Sequence, residues 1–215
     1  IKIDNNELQN NEEIIQKIRG RKIGFVFQDP QTSLNPLFKI KDQLIETIQT
    51  HLNLSYKDAL KKSIQLLKEV GIENAEKRIE DYPHQFSGGM RQRVGLARAF
   101  ALSPKMLLLD EPFGMLDKLT KFELQGVLLE LWNREKLTAM MITHDVDESI
   151  YLADRVIMMT NGPAAGIGDI LEINLPRPRD RQEIMSQEQY YDYREFLLNF
   201  LQERADEGRE ERSAA

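Results

Sequence analysis

The hydrophobic positions of this chain follow helical spacing in some stretches and form short continuous runs in others. Between residues 42 and 71 apolar side chains such as Leu60, Ile64 and Leu67 recur on one helical face, which predicts a helical lobe. A similar pattern from Tyr193 to Phe200 predicts an amphipathic helix near the end of the chain. Apolar runs typical of buried strands lie at residues 22–28, 106–109, 139–142 and 156–159.

Caps and turns mark the limits of these segments. Ser55 with Asp58 forms a capping-box pattern, and Gly71 stands where a helix C-terminal cap belongs. Because strand-like alternation is already present at residues 1–3, we interpret the chain as beginning inside a fold. We also expect a polar helix over 12–19, a hairpin within 164–175, a basic turn over 176–180 and a solvated, frayed end over 206–215.

Strands and helices alternate in the second half of the chain. Helical patterns over 124–131 and 145–153 separate the apolar runs at 106–109, 139–142 and 156–159. This alternation is typical of parallel strands joined by crossover helices. We therefore predict an α/β fold in which these three runs lie in one mostly parallel sheet.

Composition excludes several classes of protein. With 215 residues, 41% of them hydrophobic, the chain can bury a real core. Its 29 basic and 35 acidic residues give a net charge of −6, which argues against nucleic acid as the main partner. The sequence has no cysteine, and three histidines are too few for a zinc cluster. No apolar run approaches the roughly 20 residues of a membrane-spanning helix, so we expect a membrane role only through a partner.

The first chemical signal is the sequence FSGGMRQR at residues 86–93, which opens a predicted helix. Ser87 can cap this helix, and the two glycines after it let the backbone approach a ligand closely. The free N–H groups and the positive end of the helix dipole favour a bound phosphate. The same residues also fit an ordinary helix start, because Ser-Gly-Gly is common in loops.

Other polar residues follow the predicted strands. Asp110 and Glu111 come directly after the run at 106–109, at the edge where open α/β sheets bind ligands. One carboxylate can hold Mg²⁺ while the other orients a water for attack on a phosphoryl group. His144 can donate a hydrogen bond to a phosphate, and Gln28 can orient a water or ligate the metal. Taken singly, each of these residues also fits a structural or solvated role.

Together these features resemble the nucleotide-binding subunits of ATP-binding-cassette (ABC) transporters. The matches are Gln28 to the Q-loop, residues 86–93 to the family signature, 105–112 to the Walker B strand, Leu116-Asp117 to the D-loop and His144 to the switch histidine. The order and spacing of the motifs also agree with the family. The resemblance covers residue 1 to about residue 205 and implies a P-loop NTPase-like (RecA-like) core with an α-helical signature subdomain.

The resemblance implies roles for four residues on the core. Asp110 would hold a hydrated Mg²⁺, with Gln28 as a further metal ligand. Glu111 would polarise the attacking water. His144 and Gln28 would contact the γ-phosphate region of ATP.

A second set of residues is implied to serve the neighbouring site. Family members sandwich nucleotide between two head-to-tail cassettes, so Ser87, Gly88 and Gly89 would face the ATP held by a second subunit. Met90 stands where glutamine is commoner in the family, although importer branches often carry methionine there. Met90 and Asp117 complete the nucleotide-binding residues that the resemblance implies.

The family also has a phosphate cradle that this sequence does not contain. Such a loop ends in Gly-Lys-Ser or Gly-Lys-Thr, and no Gly-Lys pair occurs here. Residues 161–169 hold three glycines but no lysine, and they precede a strand rather than a helix. In the family the cradle lies before the position of Ile1, so we interpret the chain as an N-terminally truncated cassette. We expect this chain alone to lack ATPase activity.

The resemblance divides the chain into five segments. They are a partial ATPase core with the Q-loop (1–36), the α-helical subdomain (37–102), the remaining ATPase core (103–161), a C-terminal hairpin and helix (162–206) and a disordered tail (207–215). The segments up to about residue 95 are similar to the oligopeptide, dipeptide and nickel importer branch. From Leu107 onward the chain is similar to nitrate importers, notably over 160–181 with its Pro-Arg-Pro-Arg run. We favour a nitrate-type importer ATPase, with a peptide- or nickel-type importer as the alternative.

Partners and location are implied in the same way. The resemblance implies a second ABC ATPase subunit, identical or different, transmembrane permease subunits and, indirectly, a substrate-binding protein, with no nucleic acid. The permease would insert a coupling helix between the helical lobe and the Gln28 loop, at the cytoplasmic face of the membrane. A degenerate, non-hydrolysing cassette that acts as a regulatory module remains open. An ABC ATPase of chromosome or DNA-repair type is disfavoured, because the helical lobe is compact and there is no cysteine.

Overall fold

A computed structural model describes residues 2–3, 6–7, 21–29, 33–162 and 165–214, with side chains described between 21 and 204. The strands are β1 (Lys2–Ile3), β2 (Asn6–Glu7), β3 (Ile23–Val26), β4 (Met106–Asp110), β5 (Thr138–Ile142), β6 (Arg155–Met159) and β7 (Ile167–Glu172). The helices are α1 (Ile40–His51), α2 (Tyr56–Glu69), α3 (Ala75–Arg78), α4 (Gly88–Phe100), α5 (Lys118–Glu135), α6 (Val146–Leu152), α7 (Arg181–Met185) and α8 (Glu188–Ala214). The chain divides into two compact units, Ile1–Ile142 and Thr143–Ala215.

The first unit contains a three-stranded parallel sheet in the order β3-β4-β5. Val26 of β3 pairs with Leu109 of β4, and Asp110 pairs with Ile142 of β5. The carboxyl ends of the three strands therefore meet at one edge. Leu107 and Leu109 in the central strand are buried, as expected for an apolar run flanked by parallel neighbours.

Helix α4 lies directly against strand β3 in this unit. Gly24 makes this approach possible, because a Cβ atom there would lie 2.7 Å from the carbonyl oxygen of Ala99. Val94, Leu96 and Ala97 of α4 are fully buried. The close seating fixes the helix that begins after Ser87 on the sheet that carries Asp110.

The helical lobe confirms both cap predictions. Ser55 Oγ accepts a hydrogen bond from the Asp58 N–H at 3.2 Å at the start of α2. Gly71 follows the end of α2 with a φ of 75°, in the left-handed region that glycine adopts most readily. Arg93 Nη1 of α4 donates to the Val70 carbonyl at 2.7 Å and so closes the same end of α2.

The second unit corrects the sequence prediction for residues 156–159. The strand forms, but it is not described in the parallel sheet with β4 and β5 where the sequence placed it. Strand β6 pairs antiparallel with β7 in a two-stranded sheet, with Val156 opposite Leu171. Residues 160–166 are too few for the crossover of about a dozen residues that parallel neighbours need. The hairpin expected within 164–175 is therefore made by β6 and β7 together.

Further sequence predictions concern the two ends of the chain and the length of its helices. Lys2–Ile3 is a strand, paired with Asn6–Glu7, whereas the helix expected over 12–19 lies outside the described residues. In the stretch expected as a tail, 207–215, helix α8 is described as far as Ala214, where Glu, Arg and Ala favour helix. Among the helices of the described residues, none has the length and apolar character needed to cross a membrane.

Candidate active site at the carboxyl edge of the sheet

The two adjacent carboxylates lie where the sequence places them. Asp110 is the last residue of β4 and is half-buried. Glu111 follows with a φ of 43°, a left-handed conformation that is uncommon for residues other than glycine. Its N–H donates to the Ile142 carbonyl at 3.0 Å and so continues the ladder to β5. Non-glycine residues held in this conformation cluster at functional sites, because the surrounding structure must offset the strain.

Gln28 reaches the same edge from the neighbouring strand. It lies two residues beyond the end of β3 and its side chain is exposed. Since β3 and β4 run parallel with Val26 opposite Leu109, Gln28 and the Asp110-Glu111 pair both lie beyond the carboxyl ends of adjacent strands. The structure therefore brings these three predicted site residues to one edge.

A buried glutamine that sequence reasoning passed over joins the loops at this edge. Gln92 of α4 is only 2% exposed, and its Nε2 donates to the Pro112 carbonyl at 2.6 Å. The same Nε2 also makes a long hydrogen bond of 3.5 Å to the Phe27 carbonyl. The signal was available in the sequence, because Gln92 lies on the helical face of Gly89 and Leu96 and was therefore a polar residue in a buried position.

The Ser-Gly-Gly turn caps α4 as predicted. Ser87 Oγ accepts from the Met90 N–H at 3.2 Å, and Ser87 itself is exposed. The two glycines differ in what surrounds them. A Cβ atom on Gly88 would meet no atom within 4 Å, whereas one on Gly89 would lie 2.5 Å from Thr120 Cγ2. Gly88 therefore faces open space, whereas the missing side chain of Gly89 lets Thr120 of helix α5 pack closely against α4.

Asp117, the predicted D-loop residue, is the N-cap of α5. Its Oδ1 accepts from the N–H groups of Leu119 and Thr120, both at 3.1 Å, and its Oδ2 accepts from Thr120 Oγ1 at 2.6 Å. These donors, the Thr120 hydroxyl first, favour the charged carboxylate and lower the pKa of Asp117. Thr120 therefore contacts both Asp117 and Gly89, and it connects the two turns.

His144 lies in the second unit, on the segment between β5 and α6, and is exposed. Asp145, the next residue, caps α6 by accepting from the Glu148 N–H at 3.0 Å. The Asp145 N–H in turn donates to Thr143 Oγ1 at 3.1 Å. His144 is therefore held between two residues whose side chains are used in local hydrogen bonds.

A groove runs along the start of the helical lobe in the first unit. It is lined by residues 33–38, by the polar face of α1 and by Arg98. Leu37 is 80% exposed and Phe38 is 54% exposed, which leaves two large apolar side chains in contact with water. Asp42 and Glu46 on α1 add negative charge to the same wall. Burial lowers the pKa of the Arg98 guanidinium.

The carboxyl edge offers ligands suited to magnesium. Within the described residues, no group of three or more His, Cys, Asp or Glu side chains is placed to hold a metal ion. Mg²⁺ is commonly bound by one or two carboxylates together with waters and substrate phosphates. The half-buried Asp110 carboxylate at the strand end fits that kind of open site.

A parallel sheet with two carboxylates at its carboxyl edge, beside a helical lobe that presents a capped Ser-Gly-Gly turn, is the arrangement of an ABC ATPase cassette. The family model described as ABC transporter matches residues 1–114, and the chain belongs to this family.

Solved structures agree with this assignment. A dimeric structure of a post-hydrolysis state of the ATP-binding cassette MJ0796, bound to ADP and Pi, aligns with a TM-score of 0.69 and 28% identity over 80% of this chain and 72% of that one. CbiO1 from Clostridium perfringens, part of the ABC transporter complex cbiONQ, aligns with a TM-score of 0.62 and 29% identity over 73% of this chain and 60% of that one. The predicted fold class is confirmed.

Sequence relatives include transport ATP-binding proteins. The bicarbonate transport ATP-binding protein CmpD of Synechococcus elongatus is 58% identical over 132 residues, which is 61% of this chain and 46% of the relative. The nitrate transport protein NasD of Klebsiella oxytoca is 54% identical over 122 residues, 57% of this chain and 47% of the relative. The chain thus spans less than half the length of these relatives.

Proposed function

We propose that this chain is part of the ATP-binding and ATP-hydrolysing subunit of an importer for a nitrate-type inorganic anion. The observation that carries the proposal is the Asp110-Glu111 pair at the carboxyl end of β4, with Glu111 held at a φ of 43°. Adjacent carboxylates at that position can divide the work of metal binding and water activation. The motif arrangement and the family membership support the same activity.

Each candidate residue has a distinct task in this proposal. Asp110 would bind Mg²⁺ through its carboxylate, and Gln28 would add an amide oxygen. Mg²⁺, when bound, neutralises charge on the β- and γ-phosphates. Glu111 would accept a proton from the attacking water and orient it. His144, in the second unit, would donate a hydrogen bond to the γ-phosphate region.

The exposed turn at Ser87 supports a role toward a second subunit. Ser87 and the open side of Gly88 face solvent at the N-terminus of α4, where the positive end of the helix dipole favours phosphate. Ser87, Gly88, Gly89 and Met90 would meet the nucleotide of a head-to-tail partner cassette, which is identical or different in sequence. Asp117 would add to the same interface.

The transported anion is inferred from the relatives. Those described above are named for bicarbonate or nitrate transport, which favours a small inorganic anion over the peptide or nickel alternative. Substrate selection in an importer rests chiefly on the permease and the binding protein. This chain would therefore supply energy without touching the anion.

The groove at residues 33–38 suits a helix of a permease on the cytoplasmic face of the membrane. Leu37 and Phe38 offer apolar contact, while Asp42 and Glu46 favour a basic residue on the incoming helix. Because the sequence has no cysteine, a single Leu37→Cys variant gives an unambiguous crosslinking probe. We expect a crosslink to the permease from Leu37→Cys and none from Leu54→Cys, which lies outside the groove; equal yields would reject this docking site.

ATP hydrolysis is tested with Glu111→Gln in a cassette that also carries a Gly-Lys-Ser loop. We expect turnover to fall by about 10²- to 10⁴-fold, the usual contribution of a general base, while ATP binding persists. Glu130→Gln is the matched control, because Glu130 is an exposed glutamate on α5. Turnover equal to the parent in Glu111→Gln would remove Glu111 from this role. A parent cassette that binds ATP but never hydrolyses it would instead favour the regulatory module.

A further inference from the structure

The helix that follows His144 is short and depends on its surroundings. Helix α6 contains only seven residues, Val146–Leu152. Isolated helices of this length are not stable in water, because the cost of nucleation is not recovered. Ile150 on α6 is fully buried, and α6 packs against α8. The position of α6, and of the residues just before it, is therefore set by the rest of the second unit.

Two arginines of the Pro-Arg-Pro-Arg run hold the C-terminal end of α6. Arg179 Nη1 donates to the carbonyls of Ile150, Tyr151 and Ala153 at 3.1, 3.2 and 2.6 Å. Arg177 Nη2 donates to the Leu152 carbonyl at 2.7 Å. These are the carbonyls that a helix end leaves without partners, and they lie at the negative end of its dipole.

A buried arginine such as Arg179 is an uncommon way to stabilise a fold. Its side chain is fully buried, and burial, with the nearby Arg177 charge, lowers its pKa to about 10. Packed apolar residues often stabilise a fold as well as a buried charge does. An arginine instead gives several directional donors, here shared between α6 and the carbonyls of Ile173 and Leu175.

The first turn of α6 is held as well. Asp147 Oδ1 accepts from Tyr190 Oη at 2.7 Å and from Arg194 Nε at 2.9 Å. Tyr190 is 2% exposed, and both donors lie on α8. The two ends of α6 are thus fastened to the C-terminal segment, and Asp147 is only three residues from His144.

We propose that Arg177, Arg179, Tyr190 and Arg194 are positioning residues for His144. They fix both ends of α6 and thereby the backbone from which the histidine projects. The inference deepens the proposed function, because it makes the C-terminal segment responsible for presenting the group assigned to the γ-phosphate.

The test follows His144 directly by NMR in the full chain without nucleotide. The sequence has three histidines, His51, His84 and His144, so the Cε1–H region of the imidazole ¹³C–¹H spectrum contains three signals, and a His144→Gln variant identifies the one from His144. Tyr190→Phe removes one hydrogen bond from Asp147 and leaves the buried ring in place. The neighbouring Tyr191→Phe is the matched control, because Tyr191 is 55% exposed. Arg177→Leu tests the other end of α6.

We expect Tyr190→Phe to move the His144 signal and to leave those of His51 and His84 unchanged. Amide exchange in α6 should accelerate by about 2- to 10-fold, the effect of one lost hydrogen bond. Tyr191→Phe should do neither. A His144 signal that stays in place in Tyr190→Phe would overturn the proposal, even if exchange accelerates, since α6 would then be stabilised without positioning the histidine.

A kinetic measurement in an ATP-competent cassette separates this inference from the proposed function. Tyr190→Phe should lower kcat more than it raises KM for ATP, because the group affected acts on the γ-phosphate. A KM increase with unchanged kcat would contradict the inference. If the parent cassette does not bind ATP, the proposed function fails, while the NMR result still decides whether the C-terminal segment positions His144.

Discussion

Gln92 Nε2 donates to the carbonyl oxygen of Pro112 at 2.6 Å, and this bond joins the signature helix to the residue that follows Glu111. The same side chain reaches the Phe27 carbonyl, one residue before Gln28. A single buried amide therefore connects the helix that begins at Ser87 with both loops at the carboxyl edge of the sheet. Gln92 therefore couples the position of α4 to the positions of these two loops.

Replacing Gln92 should destabilise the first unit. Gln92→Leu leaves the Pro112 carbonyl without its donor in a buried position, which costs about 1–3 kcal/mol. Urea denaturation of the variant measures the loss. Gln65→Leu is the control, because Gln65 is exposed on α2 and its change should stay within about 0.5 kcal/mol. Equal stability of Gln92→Leu and the parent would show that the hydrogen bond from Gln92 to Pro112 does not stabilise the fold.

The two signature glycines should respond differently to the same substitution. A Cβ atom on Gly89 would lie 2.5 Å from Thr120 Cγ2, whereas one on Gly88 has open space. Gly89→Ala should therefore cost about 1–3 kcal/mol through overpacking. Gly88→Ala should be neutral or stabilising, since alanine favours helix. Thermal unfolding of the two variants gives the comparison.

A second substitution, at Thr120, should restore the stability that Gly89→Ala loses. Thr120→Ser removes the Cγ2 methyl group but keeps the hydroxyl that donates to Asp117. The double variant Gly89→Ala with Thr120→Ser should regain most of the lost stability. If the double variant is as unstable as Gly89→Ala alone, the contact with Thr120 is not the cause.

Asp117 should contribute to stability in a pH-dependent way. Hydrogen bonds from Thr120 and Leu119 lower its pKa in the folded state, so its contribution is present above the unfolded pKa of about 4 and is lost as pH falls through the folded pKa. The Tm difference between the parent and Asp117→Ala should therefore be largest near neutral pH and shrink in acid. The exposed Asp192, replaced by alanine, serves as the control. A Tm difference that is constant from neutral to acid pH would show that the charge of Asp117 does not stabilise the N-terminus of α5.

Local sequence patterns were sufficient for much of the fold. The run at 106–109 predicted the central strand because a parallel strand covered on both faces must be apolar throughout. The caps at Ser55 and Gly71 were predicted because their chemistry is local. Strand β6 was predicted to lie in the parallel sheet with β4 and β5, but it pairs with β7 in a two-stranded antiparallel sheet. An apolar run does not show which strand it will pair with, and the short connection to β7 makes that pair antiparallel.

Parts of the site depend on contacts far apart in the chain. Gln92 meets a carbonyl 20 residues away, and Arg179 meets carbonyls of α6 up to 29 residues before it. The sequence presented the Pro-Arg-Pro-Arg run as a basic turn, yet Arg179 is buried because the end of α6 supplies acceptors for its donors. Such roles follow from tertiary packing, which a pattern of charges along the chain does not reveal.

The central claim is that the motifs at the carboxyl edge bind Mg·ATP once a phosphate cradle is present. Calorimetry of Mg·ATP binding to this chain, and to the same chain with a grafted family segment that carries Gly-Lys-Ser, tests it most directly. We predict heat of binding for the grafted protein and none for the chain alone, because the cradle holds the β- and γ-phosphates. Micromolar binding by the chain alone, or no binding by a folded grafted protein, would contradict the account.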